Sequence, residues 1–361
     1  MRKTLHALAG VLILIGIAVP VCAQQSTRHW AIEVHAGAGD ILRSTTDAKT
    51  DAAVRATLAE AIQVGSAVLD KGGSSVDAVE AAIRTLENST LFDAGRGAVF
   101  NADGKNELDA AIMDGSNLKA GAVAGVTRTR HPISLARAVM DKSPHVMLIG
   151  EGADNFAGHV GLEQVDPSFF FTETRWQELV EQLKREGRPV PPRPAGAPPA
   201  PLTTSIPSYA PAVERHYGTV GVVALDRQGN VAAGTSTGGS QGKLPGRVGD
   251  SPIIGAGTYA SNNSCAVSAT GVGEYFIRLT IAREVCALVQ YKGMPLQQAA
   301  DEVIHKELET LHGVGGVIAL TPSGQMAWSF NTPGMNRAWA REGGKLTIAR
   351  YSDEPSRGEQ K

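Results

Sequence analysis

The sequence predicts a layered α+β fold with helices covering the sheets on both outer faces. Two hairpins carry that expectation. Thr219-Val-Gly-Val-Val-Ala-Leu-Asp226 leads into an Asp226-Arg-Gln-Gly-Asn230 turn and a second apolar strand that runs up to Gly234. Val314-Gly-Gly-Val-Ile-Ala-Leu320 and Gln325-Met-Ala-Trp-Ser-Phe330 repeat that pattern around a Pro-Ser-Gly turn, and read as a final hairpin. In both halves of the chain, strands and helical patterns occur together. The 41 glycines among 361 residues imply many tight turns and close backbone approaches.

The remaining elements follow in order. Trp30-Ala-Ile-Glu-Val-His35 reads as a buried strand running into the glycine turn His35-Ala-Gly-Ala-Gly39. Helical patterns cover Ala52 to Leu69 and Ser74 to Leu86, the second with Ser74 as N-cap and Asp77 three residues on. Its apolar stripe, Val76, Val79, Ile83 and Leu86, is core. Leu91 to Val126 is glycine-rich and reads as strands and tight turns. Pro132 to Met140 starts a helix with proline in its first turn. Gly271 to Gln290 and Met294 to Leu311 are two further helices. Between the halves, residues 187–216 contain Arg188-Pro-Val-Pro-Pro-Arg-Pro-Ala-Gly-Ala-Pro-Pro-Ala-Pro-Leu202. Such a stretch cannot donate a regular hydrogen-bond ladder, and reads as an exposed, mobile linker.

Composition is that of an ordinary globular protein, 42% hydrophobic and 19% charged. The formal net charge is −2, and loss of Arg2 and Lys3 would make the chain more acidic. That balance is no basis for nucleic-acid binding. Residues 1–23 read as a secretory signal: Arg2-Lys3, then the apolar Leu8–Val19, then Val21-Cys22-Ala23 as cleavage site, with a mature start at Gln24. An uncleaved anchor and a lipidated Cys22 are the other readings of this leader; Val21 is bulky for the position before a lipidated cysteine. The expectation is an exported chain, periplasmic or secreted, with no membrane segment in its mature form. Only Cys265 and Cys286 then remain. Two thiols make no disulfide framework and their spacing fits no metal site, so both read as buried core cysteines.

Three segments can carry chemistry. Gly218-Thr219 sits where the proline-rich stretch ends and a buried strand begins. Cleavage there would expose a threonine whose hydroxyl is a nucleophile and whose α-amine, with a pKa near ~7.7–8.0, is a base. A plain strand start has the same dipeptide. Arg247 and Asp250 stand three apart on the glycine-punctuated loop Gly242–Pro252; an arginine grips a carboxylate bidentately and an aspartate pairs with an ammonium, so the two suit a free α-amino acid group. A surface salt bridge suits the spacing equally. Ser268-Ala-Thr-Gly-Val-Gly-Glu274 puts a hydroxyl and bare backbone N–H groups at a helix start, fit for an oxyanion or for an ordinary N-cap. His35 reads as part of a structural turn beside such a site.

Together these residues resemble the plant-type L-asparaginase/isoaspartyl peptidase family of N-terminal-nucleophile hydrolases, over roughly His35 to Trp339 apart from the linker. The blocks that carry the resemblance are Gly218-Thr-Val-Gly-Val-Val-Ala-Leu-Asp226, Thr235-Ser-Thr-Gly-Gly239, Lys243-Leu-Pro-Gly-Arg-Val-Gly-Asp-Ser-Pro252, Thr270-Gly-Val-Gly-Glu274 and Phe330-Asn-Thr-Pro-Gly-Met335. The resemblance implies a four-layer αββα sandwich and self-cleavage between Gly218 and Thr219. The α chain would be 24–218 and the β chain 219–361, folded as one globular domain. It implies Thr219 as nucleophile, Thr237 bonded to its hydroxyl, and Arg247, Asp250 and the Gly273 carbonyl holding the α-carboxylate and α-ammonium. Thr270 and the Gly271 N–H would form the oxyanion hole. Backbone carbonyls of Leu86, Glu87, Ser89, Phe92, Ala94 and Arg96 match a sodium loop, a structural ion rather than a catalytic cofactor. A dimer of αβ units is implied too. The substrates would be L-asparagine or β-aspartyl dipeptides; a glycosylasparaginase-type amidase and an inactive exported amino-acid-binding homologue are the alternatives. Two departures stand out. Ala36 replaces a usual glycine of the turn. Asp93 replaces a usual asparagine near the nucleophile and the substrate, where a carboxylate can repel an acidic substrate or raise the nucleophile amine's pKa.

Overall fold

In the computed structural model, residues 29–200 and 216–354 are described. Eight strands form a large sheet in the order β12-β11-β1-β5-β6-β2-β3-β4 and four form a small one, β10-β9-β8-β7. The strands are β1 (Ala31–Gly39), β2 (Leu108–Asp114), β3 (Ala120–Val126), β4 (Met147–Ile149), β5 (His216–Leu225), β6 (Val231–Thr237), β7 (Thr258–Ala260), β8 (Ala266–Gly271), β9 (Gly315–Leu320), β10 (Met326–Phe330), β11 (Gly334–Arg341) and β12 (Thr347–Tyr351). All neighbours pair antiparallel except β3 and β4.

Strand alternation builds the layers. On β5, Val220, Val222 and Ala224 turn outward to a cluster with α1 (Ala48–Asp70), α2 (Ser75–Glu87) and α3 (Pro132–Lys142). Val223 and Leu225 turn inward to meet Ala266, Ile318 and Leu320 of the small sheet. That sheet's outer residues, Val267, Ala269, Val317 and Ala319, pack under α6 (Gly273–Leu279), α7 (Ile281–Lys292) and α8 (Leu296–Glu302). Three apolar layers therefore separate four structural ones: helix, sheet, sheet, helix. The α+β sandwich is the one expected. Ser74 caps α2 by accepting the Asp77 N–H at 3.1 Å, and Asp47 caps α1 through the N–H groups of Lys49 and Thr50, both at 2.9 Å. α1 is long and apolar enough to cross a bilayer, but its stripe of Val54, Leu58, Ala61, Ile62 and Leu69 is spent on the core.

Several expectations need correction. The β9–β10 hairpin is not final: β11 and β12 follow and return to the large sheet beside β1. Their pattern is hidden by the buried Arg337, whose Nη1 donates to the Met335 carbonyl at 3.0 Å. The Leu91–Val126 segment holds strand only from Leu108 onward. Pattern reading also passed over β4, α4 (Gly150–His159), β7, β8 and α5 (Glu173–Arg185). α5 buries Trp176, Leu179 and Leu183 against Phe100. Within the linker, Arg193 pairs with Glu173 of α5 and donates to the Pro198 carbonyl at 2.8 Å. Residues 201–215 and the leader lie outside the described residues.

Cys265 and Cys286 are joined in a disulfide with a Cα–Cα separation of 5.3 Å, not left as core thiols. The bond ties the residue before β8 to α7, which covers it. It closes a loop over a sequence separation of 21 residues, worth about 3 kcal/mol in chain entropy. Replacing both cysteines with alanine should lower the unfolding free energy by about that amount in a denaturant titration, and reducing agent should then have no further effect on the variant.

Candidate active site

The seam between the sheets collects the residues that the sequence singled out. β5 and β6 are neighbours in the large sheet, with Val220 opposite Ser236 and Gly221 opposite Thr235. Residues at odd positions on both strands face the small sheet, so Thr219 and Thr237 project inward together. Their hydroxyls meet at 2.9 Å. Thr237 Oγ1 also accepts the Gly239 N–H at 2.9 Å, so its own proton is available to Thr219. Both threonines are buried.

The Gly218–Thr219 peptide lies on a β-bulge. Ala36 pairs with Val220 and Ala38 with Tyr217, so Gly37 alone faces two residues of β5. Gly37 sits at φ 92°, the left-handed range that glycine tolerates. With the ladder interrupted, the Gly218 carbonyl accepts the Asp93 N–H at 3.0 Å, and the Asp93 carbonyl accepts the Gly238 N–H at 3.1 Å. Ala36, on the other side of the bulge, has its carbonyl held by Asn336 Nδ2 at 2.9 Å.

Asp93 is buried against the Gly218–Thr219 peptide: a Cβ on Gly218 would lie 2.7 Å from the Asp93 Cβ. Its Oδ1 accepts the Val99 N–H at 2.9 Å. Burial pushes its pKa up to about 6, against the pull of Arg175, the Val99 amide and Lys243. Asp250 is likewise buried, and burial lifts it to about 7 although its own amide and Arg247 favour the charged form. Arg247 does not pair with Asp250. Its guanidinium forks onto Glu274, Nε to Oε1 and Nη2 to Oε2, both at 2.9 Å. Gly273 joins them: a Cβ there would stand 2.9 Å from Asp250 Oδ1 and 3.0 Å from Arg247 Nη2. Thr270 and Gly271 end β8, directly before α6, with Thr270 facing the seam. Thr219, Thr237, Asp93 and Gly218 thus cluster at one end of the large sheet. Arg247, Asp250 and Gly273 form a second cluster, and Thr270 and Gly271 lie on the small-sheet side.

His35 lies between the sheets, its Nε2 2.9 Å from Ser268 Oγ. Burial drives its pKa down to about 3, with the Thr219 carbonyl opposing, so the ring is neutral. Two residues escaped the sequence reading. Glu274 was visible only as the end of a motif, because its partner is 27 positions away. Asp109 is buried, accepts the Gly125 N–H at 2.8 Å, and has its pKa raised by burial despite the nearby Lys243 and Arg247. An acid in the inward register of β2 was the available signal.

The proposed sodium loop suits a hard cation. Its glycine turn crowds the carbonyls together: a Cβ on Gly95 would lie 2.4 Å from the Glu87 oxygen, and one on Gly97 2.0 Å from that of Phe92 and 3.0 Å from that of Ser89. The Glu87 side chain is committed elsewhere, to Ser236 Oγ at 2.7 Å and the Ile133 N–H at 3.0 Å, so only its carbonyl is free for such a role. The Leu86 carbonyl accepts the Ser89 N–H at 3.1 Å and that of Ala94 the Gly97 N–H at 3.2 Å, which bends the loop around the same turn, next to Arg96. Among the described residues, no cluster of His, Cys, Asp and Glu could hold a metal ion.

A family model described as asparaginase matches residues 28–349. The isoaspartyl peptidase of Escherichia coli (strain K12) is 46% identical over 324 residues, covering 90% of this chain and 96% of that protein. The plant-type L-asparaginase of Pyrococcus abyssi is 44% identical over 317 residues, covering 87% and 97%. The isoaspartyl peptidase/L-asparaginase of Xenopus laevis is 38% identical over 323 residues, covering 90% and 96%.

Asp250 should leave a trace in stability. A carboxyl raised in the folded state binds its proton more tightly there than in the unfolded chain. Its contribution is full below the unfolded value and is lost as pH rises toward about 7. Between pH 5 and 7 the wild-type unfolding free energy should therefore fall more steeply than that of Asp250→Asn, by up to about 1.4 kcal/mol per pH unit in chemical denaturation.

Proposed function

The chain belongs to the asparaginase family of hydrolases, and from that premise we propose that it is a self-activating threonine amidohydrolase. It cleaves L-asparagine to L-aspartate and ammonia, and hydrolyses β-aspartyl dipeptides. The observation that carries this reading is the 2.9 Å contact between Thr219 and Thr237 beside a glycine peptide held on a bulge.

In the precursor, Thr219 Oγ1 attacks the Gly218 carbonyl carbon, whose oxygen the Asp93 N–H already holds. The peptide nitrogen leaves as the Thr219 amine, and water hydrolyses the resulting ester to give chains 24–218 and 219–361. In the mature site the neutral α-amine takes the Thr219 hydroxyl proton, and Thr237 donates a hydrogen bond that stabilises the developing alkoxide. The oxygen attacks the side-chain amide of the aspartyl group. Thr270 and the Gly271 N–H receive the oxyanion. Arg247 takes the substrate's α-carboxylate by exchanging its half-exposed partner Glu274, while Asp250 and the Gly273 carbonyl hold the α-ammonium. Ammonia or an amino acid departs, and water releases aspartate. Asp93, beside the reacting peptide, disfavours acidic leaving groups. A sodium ion on the Leu86–Arg96 carbonyls would fix the loop that carries Asp93.

The leader exports the chain, and the Cys265–Cys286 disulfide supports an oxidising compartment. Two αβ units pair into a dimer by the same family reasoning.

Steady-state kinetics on L-asparagine and a β-aspartyl dipeptide test the roles. Thr270→Val should lose about 10²–10³ in kcat on both substrates while remaining folded; normal turnover would remove Thr270 from the mechanism. The pH profile is a further check. Asp250 must be ionised to hold the ammonium and the Thr219 amine must be neutral, so kcat/KM should fall by up to about a hundredfold per unit below pH 7, and by only about tenfold per unit if Asp250 plays no part. The shallower acid limb would contradict that role.

A further inference from the structure

Behind the reacting threonines runs a second layer of hydroxyls. Thr219, Thr237 and Thr270 each have a same-face neighbour two residues along their strand, respectively Gly221, Thr235 and Ser268. Two of them, Thr235 and Ser268, join His35 and Thr258 in a continuous buried chain. His35 Nε2 meets Ser268 Oγ at 2.9 Å, Ser268 Oγ meets Thr235 Oγ1 at 2.7 Å, and Thr258 Oγ1 donates to Thr235 Oγ1 at 2.7 Å. Thr235 Oγ1 also lies 3.1 Å from the Gly257 carbonyl, as Thr258 Oγ1 does from that of Ser251. Gly221 leaves the slot through which the chain passes: a Cβ there would sit 1.9 Å from Ser268 Oγ and 2.2 Å from His35 Nε2. β1 and β6 belong to the large sheet, and β7 and β8 to the small one.

Apolar contact between two sheets is non-directional and tolerates small slips. Short hydrogen bonds do not. We infer that the His35–Ser268–Thr235–Thr258 network is a positioning device that fixes the oxyanion group on β8 relative to the nucleophile on β5. The neutral imidazole suits this place. It spans from β1 to the Ser268 hydroxyl without bringing a charge into the core. Neither His35 nor Ser268 touches the reacting atoms; they act through Thr219 and Thr270. The inference rests on the assignment of those two threonines under the proposed function.

The test is a double-mutant cycle on kcat. Ser268→Ala cuts the chain between the sheets, and Thr235→Val, nearly isosteric, cuts it independently if the first variant folds poorly. Each should lower kcat by about 10²-fold, the scale of a 1 Å misplacement. KM should stay close to wild type, because Arg247 and Asp250 are untouched. Thr235→Ser, which keeps the hydroxyl, should recover turnover. In a Thr270→Val background, where the Gly271 N–H is the only donor left to misplace, Ser268→Ala and Thr235→Val should cost clearly less than in the wild type. Multiplying losses, or variants with lowered melting temperature and unchanged kcat, would overturn the inference. Full activity of Thr219→Ala would instead defeat the proposed function itself, so the two failures are distinguishable.

Discussion

The pleat of paired strands is the constraint on which everything else depends. Because alternate residues share a face, β5 and β8 each send one threonine, and β6 two, into the narrow space between two sheets. The contact between Thr219 and Thr237 follows from that register, at 2.9 Å. A slip of one residue in either strand would turn one hydroxyl toward the helices and dissolve the pair. The bulge at Gly37 has the complementary effect. It breaks the regular ladder at the Gly218–Thr219 peptide, and the Asp93 N–H supplies the replacement hydrogen bond to the Gly218 carbonyl.

Electrostatics at the seam are set by burial. Asp93, Asp109 and Asp250 are all buried, and in each the loss of water outweighs neighbouring positive charge. Such acids stabilise the fold little. Under the proposed function, Asp250 would favour a cation arriving from solution, since an ammonium restores part of what desolvation removed. Arg247 is managed differently. Its fork is occupied by a half-exposed glutamate that a competing carboxylate can replace at small cost.

Much of this was legible in the chain. The hairpins around Asp226 and Pro322 and the Ser74 cap follow from period-two and helical spacing, whereas Thr237 and Thr270 were marked by the family resemblance and not by strand alternation. Other features were hidden for physical reasons. β11 carries Arg337 at a buried position, which breaks the apolar alternation that marks a strand. α5 buries only three side chains on a strongly polar helix. The Cys265–Cys286 bond depends on β8 and α7 folding against each other, which spacing alone does not encode. The Arg247–Glu274 pair and the His35–Ser268 bond join residues 27 and 233 positions apart. Both are products of sheet stacking rather than of any local pattern.

The central claim is that the chain severs its own backbone at a bulged glycine peptide to release the reacting group. Intact-mass measurement and N-terminal sequencing of the purified, active protein address it directly. The account predicts two fragments, the smaller beginning at Thr219, and a single uncut chain without activity for Thr219→Ala. An undivided wild-type polypeptide that still hydrolyses asparagine would contradict it.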